Sequence, residues 1–162
     1  MTERVLGIDP GTAVTGFGVV EPTNGALGRL LECGVIRTKS RDAMSQRLET
    51  IYDGVTELIA RHQPNTVAVE TAFYKTNVRT TVTLGQARGM VLLAAVKAGA
   101  DIVEFSPATV KKSVSGTGAA DKGQVAFMVQ KLLRLKEPPK PHDAADACAI
   151  ALTHLITSGL KR

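Results

Sequence analysis

Tryptophan is absent from this chain, and aromatics are otherwise limited to two tyrosines and four phenylalanines among 162 residues. A core must therefore come from aliphatic side chains and alanine. Apolar residues at 44% are enough for one domain of ordinary size spanning residues 1–162. Cysteine is scarcer still. Cys33 and Cys148 stand in unrelated contexts without metal-ligand spacing, which excludes a disulfide framework and a cysteine-based metal site and leaves two buried thiols. Long hydrophobic runs are missing too: the longest, 90–96, is far too short to span a bilayer. The first four residues lead straight into an apolar stretch, so no signal peptide is expected. There are no repeats and no low-complexity tract. Together these absences predict a cytoplasmic protein with no membrane part.

Acidic residues are outnumbered, 15 against 20 Lys and Arg, for a net charge of +5. The excess is local. Residues 105–141 carry Lys111, Lys112, Lys122, Lys131, Arg134, Lys136 and Lys140 against Asp121 and Glu137. Such a segment suits an anionic partner such as nucleic acid, or is simply a solvated helical face.

Apolar periodicity predicts strands at 5–8, 15–20 and 27–37, joined by short turns as an antiparallel meander. A helical period follows from residue 42 to Pro64, then a buried strand at 66–69, a long helix at 77–97 and a strand at 102–105. Helices at 106–114, 121–135 and 143–156 complete the chain, the last two separated by a proline-rich break at 136–141. This order predicts an α/β fold: a five-stranded mixed sheet, antiparallel meander plus parallel strands, flanked by helices. Helical connections place the first and fourth strands side by side.

Four carboxylates stand out against this pattern. Asp9 closes the first strand in Gly7-Ile8-Asp9-Pro10-Gly11, with Gly11 expected at positive φ, and Glu70 closes the apolar run Thr66-Val67-Ala68-Val69. Asp143 and Asp146, three apart in an alanine-rich stretch, share one helix face. Asp9 could instead close its own turn, and the two helix-start aspartates could serve only the macrodipole. Neither alternative accounts for four acids at converging ends. Clustered anions need a cation, and oxygen ligands favour Mg²⁺ or Mn²⁺. Two such ions, bridged by Asp9 and further held by Glu70, Asp143 and Asp146, would hydrolyse a phosphodiester. Phe73-Tyr74 directly after Glu70 could stack on an unpaired base or anchor the loop to the core. Lys75, Arg79 and Arg88 follow within reach of phosphates, and His142 adjoins the last acid pair.

In this order, Gly7-Ile8-Asp9-Pro10-Gly11, Val69-Glu70 with Phe73 three residues on, Leu84-Gly85-Gln86-Ala87-Arg88-Gly89 and Asp143-Ala144-Ala145-Asp146-Ala147 resemble the RuvC family of Holliday junction resolvases. The resemblance covers nearly the whole chain. It implies a ribonuclease-H-like fold and a homodimer making paired, metal-dependent nicks in four-way DNA junctions, with the branch-migration proteins RuvA and RuvB as partners. It maps Asp9, Glu70, Asp143 and Asp146 onto the family's acidic quartet, Lys111 and Lys122 onto its DNA-binding lysines, and Phe73 onto its base-stacking aromatic. Asp143 takes the acidic form of a position that is His in some members. A ribonuclease-H-like enzyme acting on RNA or hybrid shares the acids. The Asp9-Pro10-Gly11-Thr12 turn also resembles the phosphate loop of actin-like ATPases, but that fold needs two such domains. A junction-binding protein without catalysis would not need all four acids.

Overall fold

The structure is a computed structural model, and it describes residues 2–71 and 77–159. Strands β1 (Val5–Asp9), β2 (Val14–Thr23) and β3 (Ala26–Arg37) lead to helix α1 (Met44–His62). Then come β4 (Thr66–Glu70), α2 (Val78–Lys97), β5 (Asp101–Phe105), α3 (Pro107–Ser115), α4 (Lys122–Leu132) and α5 (His142–Thr157). The sheet order is β3-β2-β1-β4-β5, with β1–β2 and β2–β3 antiparallel and β1–β4 and β4–β5 parallel. The expected mixed sheet is present, with β1 beside β4.

Strand alternation divides the core. Leu6, Ile8, Val67 and Val69 face α1 and α2, whereas Val5 and Ala68 face α3, α4 and α5. Asp9 and Glu70 continue the second set, so both end their strands on the α5 side.

Three strand positions on that side are glycines, and α5 lies directly on them. A Cβ at Gly7 would sit 2.2 Å from the Ala147 carbonyl oxygen, one at Gly16 2.0 Å from that of Asp143, and one at Gly18 2.6 Å from the Cys148 Sγ. Backbone therefore meets backbone. The alanines of α5 (Ala144, Ala145, Ala147, Ala149 and Ala151) are all buried. This seat, rather than large interlocking side chains, presses the start of α5 against the open end of β1.

The structure differs from the sequence reading in three places. β2 runs to Thr23, because the register shift between Glu21 and Thr23 accommodates Pro22 without a ladder bond. α4 stops at Leu132, where Arg134 at φ 52° reverses the chain and lets Leu135 pack on the core as part of a turn. Gly11 does not adopt positive φ. What it needs is room, since a Cβ there would meet the Val14 carbonyl oxygen at 2.3 Å.

Candidate active site

The turn after β1 is tied by buried Thr15, whose hydroxyl donates to the Gly11 carbonyl (2.8 Å) and accepts from the Gly11 N–H (3.3 Å). Asp9 is thus not the residue that closes its own turn. Among the described residues nothing donates a hydrogen bond to its carboxylate. In the parallel pair β1–β4 the last matched residues are Ile8 and Val69, which brings Asp9 and Glu70 out together at the carboxyl ends of neighbouring central strands. Ligand sites of open α/β sheets are built at this edge.

α5 starts at the same edge. Asp143 and Asp146 occupy its first two turns, near the positive end of the helix dipole, and the glycine seat holds them over β1 and β2. One carboxylate oxygen from each of Asp9, Asp143 and Asp146 lies within 4.8 Å of the other two. Glu70 is not in that trio but lines the same cleft, of about 450 Å³, as Asp9 and Asp146. The anticipated quartet is thus a tight trio, with Glu70 lining the same cleft and foremost among the carboxylates that oppose the charge of Asp9.

The electrostatics follow from this crowding. Burial, reinforced by Glu70, Asp146 and Asp143 and only partly opposed by Lys122, pushes the Asp9 carboxyl up to about 7. Asp146 is also raised, first by burial and then by Asp143, against the pull of Lys122, His142 and Lys111. Three converging oxygen donors, one of them reluctant to ionise without a counter-charge, fit a hard divalent cation.

Both lysines singled out in the sequence line the cleft. α3 is capped by Ser106, which accepts from the Thr109 N–H, and carries Lys111 one turn on. α4 is capped by Asp121, accepting from the Gln124 N–H at 2.8 Å, so that Lys122 opens the helix with its Nζ 3.9 Å from Asp146 Oδ2. Lys122 is largely exposed and only loosely paired, which leaves it able to meet a phosphate. Arg79, in the first turn of α2, is exposed and not part of the cleft lining. Arg88 is ion-paired with Glu104 of β5. Phe73, with Tyr74 and Lys75, lies outside the described residues. His142 is exposed beside the site, and His154 bonds Glu3 at 2.8 Å, far along α5. The sequence reading missed the apolar wall: Leu84, Val110 and Val125 line the cleft.

Comparison with known proteins agrees with this geometry. Residues 5–154 match the family described as Crossover junction endodeoxyribonuclease RuvC. Proteins of that name from Rubrobacter xylanophilus and Caldicellulosiruptor saccharolyticus are 49% and 43% identical, covering 94% and 96% of this chain and 85% and 93% of theirs. Thermus thermophilus RuvC in complex with Holliday junction substrate superposes with a TM-score of 0.92 at 40% identity, over 98% of this chain and 96% of that one. The yeast mitochondrial Holliday junction resolvase Ydc2 shares the fold, with a TM-score of 0.66 at 15% identity over 94% of this chain and 78% of that one. A carboxylate trio at the sheet edge, basic helices beside it and a family match along nearly the whole chain lead to one assignment: this chain belongs to the RuvC family of crossover junction endodeoxyribonucleases.

Proposed function

We propose that Asp9, Asp143 and Asp146, with Glu70 on the same cleft, hold the divalent metal with which this crossover junction endodeoxyribonuclease cuts four-way DNA junctions. The observation that carries the reading is the convergence of three carboxylate oxygens within 4.8 Å at the mouth of a lysine-lined cleft. Mg²⁺, with Mn²⁺ as a substitute, suits the all-oxygen donors, and two ions per site suit four carboxylates. Divalent ions at such a site supply an activated water and neutralise charge on the phosphodiester.

The chain's own residues do the rest. Asp9 and Glu70 are held by central strands and Asp143 and Asp146 by a helix without slack, so the donors are set before substrate arrives. Lys111 and Lys122 attract and position the phosphate. Leu84, Val110 and Val125 give the cleft a low-dielectric wall that strengthens both effects. Phe73, and Arg79 in the first turn of α2, are the candidates for contacts to unpaired bases and outlying phosphates.

A junction asks for two symmetric cuts, and α2 offers the means. Val78, Val82, Leu93 and Val96 are exposed, the first to 80%. Gly85 and Gly89 continue their stripe with open space above them. Apolar and small residues at spacings of three and four form one helical face on which a second copy can pack closely. A homodimer through this face gives one site per subunit about a two-fold axis. Delivery of junctions by RuvA and RuvB, in the cytoplasm, completes the proposal on family grounds.

The test offers the protein a four-way junction, a linear duplex of the same sequence and an RNA–DNA hybrid, in Mg²⁺, Mn²⁺ or chelator. Paired nicks in the junction alone, abolished by chelator, are expected. Equal cutting of the hybrid would favour a ribonuclease-H-type activity and overturn the reading.

A further inference from the structure

The two cysteines, 115 positions apart in sequence, meet on the sheet face that bears the acids. Cys33 of β3 is in register with Gly18 of β2, and Gly18 is the glycine beneath Cys148 of α5. With no side chain at Gly18, nothing separates the Cys148 sulfur from the neighbouring strand. The Cys33 side chain packs against the apolar cluster that contains Cys148. Their exposures differ: Cys148 is buried, whereas Cys33 is partly open. One thiol can therefore meet a small oxidant while the other waits, shielded, beside it. Oxidant-sensing cysteines commonly have this layout of an accessible thiol next to a resolving one. The neighbouring Cys148 thiol also draws the Cys33 thiol below its ordinary range, despite burial and the nearby Glu32, which favours the nucleophilic thiolate.

We propose that Cys33 and Cys148 are a peroxide-responsive pair that closes a disulfide between β3 and α5 and so slows cleavage. The sulfur of Cys33 attacks hydrogen peroxide, the O–O bond breaks, and the product is a Cys33 sulfenic acid, with the thiol proton leaving in one water. The sulfur of Cys148 then attacks the sulfenic sulfur, the S–O bond breaks, and the hydroxyl departs with the Cys148 proton as a second water. Two thiols lose two electrons, and one peroxide becomes two waters.

The consequence for cleavage rests on the carboxylate site proposed above. Bonding draws the sulfurs from thiol contact to about 2.05 Å. α5 cannot absorb that by sliding, because its backbone already touches Gly7, Gly16 and Gly18. Asp146 is two residues before Cys148 and moves with it.

The experiment treats the purified protein with hydrogen peroxide, blocks free thiols, and reads both a non-reducing peptide map and the rate of junction cleavage. A Cys33–Cys148 cross-link is expected, with cleavage slowed about tenfold or more by misplaced carboxylates. Dithiothreitol should restore the rate, and Cys33→Ser should neither cross-link nor slow. Over-oxidation of Cys33 without a cross-link overturns the proposal, as does a cross-linked enzyme that cuts at full speed. If the reduced protein cuts no junction at all, the proposed function has failed, while the peptide map still decides whether the cross-link forms.

Discussion

Asp9 binds its proton more tightly in the folded protein than in the unfolded chain, since burial and three neighbouring carboxylates oppose its charge. A carboxyl raised from 3.8 to about 7 contributes stability that is present below pH 3.8 and is lost as pH climbs through about 7. In chelator, the melting temperature should therefore decline over that window, with Asp146 acting in the same direction. Asp9→Asn should melt higher than wild type above pH 7 and gain little near pH 4. Mg²⁺ at pH 8 should raise the wild type more than the variant, by linkage to binding. A variant less stable than wild type in chelator at pH 8 would mean that Asp9 serves the turn after all. Lys111→Ala and Lys122→Ala address the other sign of charge. Each should weaken junction binding and reduce the log–log salt slope by about one unit. Binding titrations at several salt concentrations measure it, and an unchanged slope would take that lysine off the DNA surface.

The element on which the site depends is α5, and its seat is the most sensitive place in the fold. Gly16→Ala would drive a Cβ to 2.0 Å from the Asp143 carbonyl oxygen. The helix start must lift, at a cost of about 3 kcal/mol in urea denaturation, with cleavage lost even where the variant is fully folded. Unchanged stability would show that α5 rides higher than described. None of this was legible in the sequence. Nothing local marks Gly7, Gly16 and Gly18 as a helix seat, because what fills each missing side chain is a helix more than 120 residues later. The acids were legible for a local reason: a charge ending an apolar strand, or two at helical spacing, announces itself within a few residues. How they divide into a trio and a fourth member depends on the β1–β4 register, which only the folded sheet sets. The cysteines were misread as unrelated because their proximity passes through Gly18.

For the whole molecule, the mixed sheet and the pairing of its first and fourth strands were readable from strand and helix alternation, and the family likeness from motifs spread along the chain. The proposed packing of two copies rests on the exposed α2 stripe from Val78 to Val96, which only the folded chain displays. Val82→Glu should turn the proposed dimer into a monomer in sedimentation equilibrium, and paired nicking should fail while the monomer stays folded. A dimer that survives the change would move the interface elsewhere. The central claim, that the carboxylate cluster is the metal site of a junction nuclease, is tested most directly by single-turnover cleavage of a four-way junction in Mg²⁺ by Asp9→Asn at saturating protein. A metal site contributes several kcal/mol, so the rate should fall about a thousandfold, while junction affinity stays within a few-fold of wild type. A variant that cuts within tenfold of the wild-type rate would contradict the account.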